Sequence, residues 1–397
     1  MRFWSIQRID MNRLILILVV GFASFCVSPA FADDGAPIAV RHWGDGQITI
    51  ETMWGYHVGL GVQKETESKL PSKVDIEMSS KTAAEDSTAL LRKPNEDKVS
   101  LISPKDMDSA EKRACVCNVI TPPTDTAESG LIVGHELRVD GAIILDLNQG
   151  NPAEIAAHVL VRKKEPHLLV IANAPAFTAE VCQSISAKLK PAMMIVPESM
   201  ATVGDAQVKK VAHNTVCFSS SKDKKGKTTF VSLGSKPYKF SAELEALMLA
   251  KEKSCKASRA LFASLSIEQM NFKPSNGTHT PRWNTEHMMG RELLFFSQIY
   301  HAVDPSIPVM NLNPKQMPKD YQFAHPDWTG TEEARQTERV EKYTRRFGYL
   351  LDGLPLGRRA PGSRSWSPKS LLKQMERHYT EHTANVRKKM NLDEWPQ

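Results

Sequence analysis

The sequence predicts a multidomain chain: an N-terminal α/β layer domain over residues 33–238 and a C-terminal all-α four-helix bundle over 239–397, behind a leader at 1–32. Three observations predict it. Between about Val40 and Tyr238 the apolar residues fall in short runs, some alternating with period two, as strands do. From Ser241 onward the period becomes helical and holds over four long stretches. Length agrees, because 397 residues exceed the ~100–200 of an ordinary domain. Hydrophobic residues make up 41% and charged residues 24%, enough apolar surface to bury cores and too much for global disorder.

The leader reads from Arg13 through an apolar run beginning at Leu14 to Ser28-Pro29-Ala30-Phe31-Ala32. A basic start, an apolar centre and an Ala-x-Ala end form an export signal, with cleavage expected after Ala32. The run falls short of the ~20 residues of a span, so no stable membrane span is expected after cleavage; an uncleaved anchor is the alternative. Cys26 invites a lipoprotein reading, but bulky Phe25 precedes it where a small residue is expected. The location expected is periplasmic or extracellular. Six cysteines occur, and losing Cys26 leaves five: Cys115, Cys117, Cys182, Cys217 and Cys255. An odd number at irregular spacing is not a disulfide framework, so isolated thiols are expected.

In the first domain, residues 47–52 alternate as a half-buried strand does, and residues 136–146 read as a hairpin about Asp140-Gly141. His167–Ala172 and Met193–Val196 are continuous apolar runs suited to buried strands. Between them Thr178 caps a helix over Ala179–Leu189. Thr228–Leu233 reads as an edge strand after a Lys/Gly-rich turn.

In the second domain, Ser241 opens helix one, with Leu244, Leu247, Met248, Cys255, Leu261 and Phe262 on one stripe. Residues 271–281 read as a loop, and helix two is expected over about 284–303. A long Pro- and Asn-rich connection leads to helix three over about 331–352, and Ser367-Pro368 begins helix four, which runs to about Met390. The net charge of +6 is spread along the chain without a basic face interleaved with aromatics, so nucleic acid is not an expected partner.

Helix four carries His378 and His382, four apart and therefore on one face. Helix two carries His287 one turn inside its start. Three histidines from two bundle helices can reach one ion. Imidazole suits zinc, nickel, copper and iron, and three nitrogens leave positions open for water or substrate. Glu286 and Glu381 neighbour these residues; each is read as solvated, with the alternative of orienting an imidazole.

The stretch from Leu265 through Glu268-Gln269-Met270-Asn271-Phe272 to Pro274, then Trp283, Glu286-His287 and the final His378/His382 pair, resembles the DinB / YfiT-like superfamily over roughly 150 residues. The resemblance implies a four-helix bundle whose metal ligands are His287, His378 and His382, with zinc or nickel as the expected ion. It also implies metal-dependent transferase or isomerase chemistry on a small-molecule or thiol substrate, and the homodimer such bundles often form. Export makes a cytosolic thiol harder to supply. The loop from Asn276 to Trp283 and the connection from Asp304 to Gly330 depart from the family pattern. His279, His301 and His325 lie in or beside them and are read as surface or supporting residues, with His279 the first choice for a substrate contact.

Val40–Gly44, the strand at 47–52 and Met193–Pro197 resemble the lactonase-like branch of the metallo-β-lactamase fold. Its His-x-His-x-Asp-His motif is degenerate here: Asp86 remains, while Thr82, Ala84 and Ser87 stand at histidine positions. Glu198-Ser199 follow Pro197 where a histidine is usual, and Asp146 takes a bridging-ligand position in this alignment. Without imidazoles such a site holds no di-zinc centre. His42, His57, His135, His158, His167 and His213 show no ligand spacing and are read as structural or surface residues. Two functions follow as expectations: an exported metal-dependent transferase or hydrolase, or a non-catalytic envelope binding or scaffold protein with an inactivated hydrolase-like domain.

Overall fold

The computed structural model describes residues 37–44, 46–52, 57–60, 70, 76–78, 89–91, 100–102, 115–120, 134–139, 142–148, 166–171, 177–219, 227–310 and 325–397. The leader, His158, the degenerate motif at Thr82–Ser87 and part of the connection before helix three lie outside them.

The strands are β1 Pro37–His42, β2 Ile48–Glu51, β3 His57–Leu60, β4 Ile76–Met78, β5 Ala89–Leu91, β6 Ser100–Ile102, β7 Cys115–Ile120, β8 Gly134–Val139, β9 Ala142–Asp146, β10 Leu168–Val170, β11 Met193–Val196, β12 Thr202–Val203, β13 Ala206–Gln207, β14 Lys209–Val211, β15 Thr215–Ser219 and β16 Thr229–Leu233. The first sheet has the order β15-β1-β2-β3-β4-β5-β6; the second has the order β14-β16-β11-β10-β9-β8-β7. The second is antiparallel from β7 to β9 and parallel from β9 to β14.

Alternation assigns the faces. Ile38, Val40, Ile48, Ile50, Val58 and Leu60 of the first sheet share one core with Leu137, Ile144, Leu168, Val170, Ile195 and Val231 of the second. The sheets therefore pack face to face. Their intervening residues turn outward: Leu145, Leu169, Met194 and Phe230 meet the helix α1, Ala179–Leu189, while Ala39 and Cys217 meet the helical region. Thr178 caps α1, its hydroxyl accepting from the Val181 amide.

Two strand expectations are corrected. β2 is buried along its whole length rather than on one face, because the helices cover its outer side: Thr49 is fully buried and Glu51 nearly so. β16 is not an edge, because short, partly exposed β14 pairs with it in parallel. β8 and β9 pair antiparallel as expected over 136–146, their ladder closing at Val139 and Ala142, while the turn residues Asp140 and Gly141 lie outside the described residues.

The helical region contains α2 Ala242–Ala263, α3 Ile267–Asn271, α4 Pro281–Val303, α5 Gly330–Arg346, α6 Tyr349–Asp352 and α7 Pro368–Lys389. Each long helix starts on a side-chain cap: Ser241, Thr280, Thr329 and Ser367. The second helix thus begins three residues earlier than expected, with Pro281 in its first turn. The loop expected over 271–281 is present up to the cap at Thr280, and before it lies the short helix α3, opened by a capping box between Ser266 and Gln269. The third helix breaks at Phe347-Gly348 into α5 and α6.

α2 lies beside α5 and α7, and α4 lies beside the same two. That order brings α4 and α7, the two histidine carriers, into contact. Leu244, Met248, Leu293, Phe296, Leu371, Leu372 and Met375 fill the centre, each stabilising by roughly 1.5–3 kcal/mol when fully buried.

Glu51 joins the sheet to the helices. Its two oxygens accept from Arg41 Nη1 and Arg346 Nη2, both at 2.6 Å. Burial pushes its pKa up, but the two guanidiniums prevail and hold it far below the ordinary 4.5. A depressed folded pKa gives stability that is present above the unfolded value and lost as pH falls toward the folded one. The stability gap between the native chain and Glu51→Gln should be full at pH 7 and shrink progressively below 4.5. Urea titrations across that range check this; a gap that stays constant would assign the loss to packing.

Candidate metal centre

The α4 cap builds one wall of the centre. The Thr280 hydroxyl accepts from the Trp283 amide, and the Thr280 carbonyl accepts from Asn284 Nδ2 at 2.7 Å. This leaves Asn284 Oδ1 facing α7, where it accepts from His382 Nδ1 at 2.6 Å. The bond places the proton of His382 on Nδ1 and leaves the Nε2 lone pair free. One turn beyond Trp283 stands His287, its ring stacked on the indole with centroids 4.5 Å apart.

α7 builds the other wall. His378 and His382 sit a turn apart with centroids 4.5 Å apart, and His287 is 4.9 Å from the first and 5.1 Å from the second. One ligand nitrogen from each of the three lies within 4.8 Å of the other two, so this group can hold a metal ion. A tetrahedral ion with ~2.0–2.1 Å bonds sets its donors roughly 3.4 Å apart, a modest inward adjustment of the rings. His378 Nδ1 is buried with no hydrogen-bond partner among the described residues. A lone buried ring nitrogen beside two other imidazoles fits a ligand better than a packing histidine. All three residues are half-buried, which leaves a side open toward solvent.

Electrostatics keep the triad neutral. Burial, then the charges of His378 and His382, lower His287 to a pKa of about 3. Burial, then Arg291, lowers His378 to about 4. Burial, with His378, His279 and Lys389, lowers His382 to about 3. Neutral imidazoles offer lone pairs to a cation at ordinary pH.

The neighbouring residues divide. His279 stacks on the far face of Trp283 with centroids 3.6 Å apart, making a three-ring column with His287. Glu286 is not solvated: it is buried and pairs with His325 Nδ1 at 3.1 Å. Glu381 is exposed beside Arg377. The histidine-orienting role weighed for these two carboxylates belongs to Asn284. It was missed because the pairing depends on contact between α4 and α7; its place three residues before His287 was the only signal. His301 Nδ1 lies 2.7 Å from the Ile307 carbonyl.

In the sheet region Asp146 is buried and accepts from Asn148, with His135 Nδ1 at 3.5 Å. His42 and His57 are buried, His167 Nδ1 accepts from the Ile143 amide and His213 Nδ1 from that of Thr215. Glu198 and Ser199 are exposed. Among the described residues, the triad on α4 and α7 is the group of three or more ligands that can share an ion. Cys182, Cys217 and Cys255 are buried thiols outside any disulfide.

Asn284→Ala should weaken metal binding by about 10–100-fold while the fold persists, as losing an imidazole-orienting partner does. Zinc competition against a chromogenic chelator measures it; unchanged affinity would remove Asn284 from the site. No family model matches the chain, and neither a curated protein nor a solved structure matches it.

Proposed function

We propose that this is an exported metal-dependent enzyme, of transferase or hydrolase type, whose centre is His287, His378 and His382 in a DinB-like bundle. The observation that carries the reading is the convergence of three neutral, half-buried imidazoles from two helices. Zinc or nickel are the ions proposed, since both favour imidazole nitrogen. Bound there, such an ion supplies a Lewis acid that lowers the pKa of a water or thiol ligand.

The chain's own residues do the rest. Asn284 fixes the His382 tautomer. The Trp283 and His279 rings close one side of His287. Positive charge lies beside the triad: after burial and the neighbouring imidazoles, Arg291 lowers the pKa of His287 and Lys389 that of His382. A positive rim favours a substrate carrying an anionic group. The leader from Arg13 to Ala32 supports export.

A second reading is a non-catalytic envelope binding protein whose sheet region is an inactivated metallo-β-lactamase-like domain. The aromatic column stacked on His287 favours it, because a ligand ring held rigid by its neighbours suits an ion that serves structure.

Elemental analysis of the purified protein beside a His378→Ala/His382→Ala variant tests the proposal. About one equivalent of a transition metal, lost in the variant, is expected for a three-ligand site, and the loaded protein should turn over anionic thiol-transfer or hydrolytic substrates. No metal in either protein, even after zinc or nickel is added, sinks it. Metal without turnover selects the second reading.

A further inference from the structure

A cavity of about 620 Å³ lies between the outer face of the first sheet and the helical region. That volume falls within the ~300–1,000 Å³ of small-molecule sites. None of the three histidines lines it. Its walls carry Arg41, Trp43, Asn214, Tyr238, Arg346 and Tyr349.

The polar end has more donors than acceptors. Two guanidiniums meet one carboxylate, since Arg41 and Arg346 both bind Glu51 and occupy its two oxygens. Arg346 is 4% exposed, yet its Nε and Nη1 have no hydrogen-bond partner among the described residues. Asn214, 1% exposed, has an unpartnered Nδ2; its Oδ1 is taken by the Thr215 hydroxyl. Buried N–H groups are rarely left without acceptors, and a buried excess of positive charge is costlier still.

The other carboxylates of the cavity lie away from that end. Glu245 and Glu252 hold Arg345, which also lines the cavity, and Glu341 faces Arg259 at 3.6 Å with its Oε2 making no hydrogen bond among the described residues. The remaining wall is aromatic: Tyr238 packs against Phe240 and Tyr349. The Tyr238 hydroxyl is turned away to Asp352 at 2.7 Å.

We infer that this cavity is a binding site for a small aromatic carboxylate, separate from the histidine triad. Its oxyanion accepts from Arg346 and Asn214, and its ring lies against Trp43, Tyr238 and Tyr349. A planar carboxylate matches the fork of a guanidinium. Because the cavity is shared by sheet and helices, the ligand also ties the two regions together.

The probes are phenylacetate, 1-naphthoate and phenylacetamide, titrated into the full chain by calorimetry and ligand-observed NMR. EDTA is present, so no ion at the histidines contributes. The expected result is saturable binding of the carboxylates with at least about tenfold preference over the amide, as a charged hydrogen bond provides. Arg346→Gln should remove that preference. Should Arg346→Gln fail to fold, Asn214→Leu is read instead and should weaken the carboxylates by several-fold. The inference is overturned by equal binding of acid and amide. It is equally overturned if neither carboxylate saturates below about 10 mM, roughly tenfold above the dissociation constant of a 1 mM site. Full acid preference in the folded variants overturns it too.

Discussion

Lys251→Met should destabilise the helical region by about 3–5 kcal/mol, the cost of leaving a buried charge unpaired. Lys251 on α2 and Glu292 on α4 form a fully buried pair at 2.7 Å. Burial pulls the Lys251 pKa down, but Glu292 and its other acidic neighbours outweigh this and raise it, so the ammonium stays charged. The same carboxylate accepts from the Thr344 hydroxyl of α5 at 2.6 Å and from the Tyr379 hydroxyl of α7 at 2.5 Å. One side chain therefore joins all four long helices.

The arrangement has a functional side, because Tyr379 follows His378. Holding Tyr379 inward fixes the rotation of α7, which decides where His378 and His382 face. The test is a double-mutant cycle by urea unfolding with Lys251→Met, Glu292→Leu and the double variant. Each single change should cost several kcal/mol. The double should recover most of it, retaining about 1–3 kcal/mol for the Tyr379 hydroxyl that loses Glu292, since the Thr344 hydroxyl keeps the Val340 carbonyl at 3.2 Å. A loss under about 1 kcal/mol for Lys251→Met would mean that Glu292 takes up a proton cheaply and that the pair does not organise the bundle.

That network marks the limit of what the sequence discloses. The helices announced themselves through local chemistry: Ser241 and Ser367 are caps whose amides lie within three residues. His378 and His382 are legible for the same reason, since helical spacing alone puts them on one face. Lys251 and Glu292 sit 41 residues apart on helices with ample surface charge, so each reads as one more solvated residue. Asn284 is equally mute, because its partner His382 lies 98 positions away. Glu286 misleads for a related reason: its environment is made by His325, which a long connection returns to it. In the sheets, period two reveals the faces of β2 but not that helices cover the outer one. Short β14 has no apolar run to betray it. Local interactions are written in neighbouring residues, whereas pairings across elements depend on a register that only the folded chain defines.

Metal binding should appear as stability as well as stoichiometry. An ion that binds the folded triad and not the unfolded chain stabilises by about 2.7 kcal/mol at a hundredfold excess over its dissociation constant. For a unit of ~150–250 residues this corresponds to a melting shift of roughly 5–10 °C. The shift belongs to the helical region, because α4 and α7 are the elements the ion would clamp, and it should vanish on adding EDTA. His287→Ala should abolish it, since two histidines on α7 alone tie no second helix. His382→Ala should do the same and should also free Asn284. Asn284→Ala differs in kind: the ligands remain, so the full shift should return at about 10–100-fold higher metal concentration. That contrast separates orientation from ligation, because stabilisation rises with the logarithm of free metal: an orienting variant displaces that rise along the concentration axis, and a ligand variant removes it. Differential scanning calorimetry over a zinc series reads both. A shift that survives His287→Ala would place the ion outside the triad, and with it any chemistry assigned to α4 and α7.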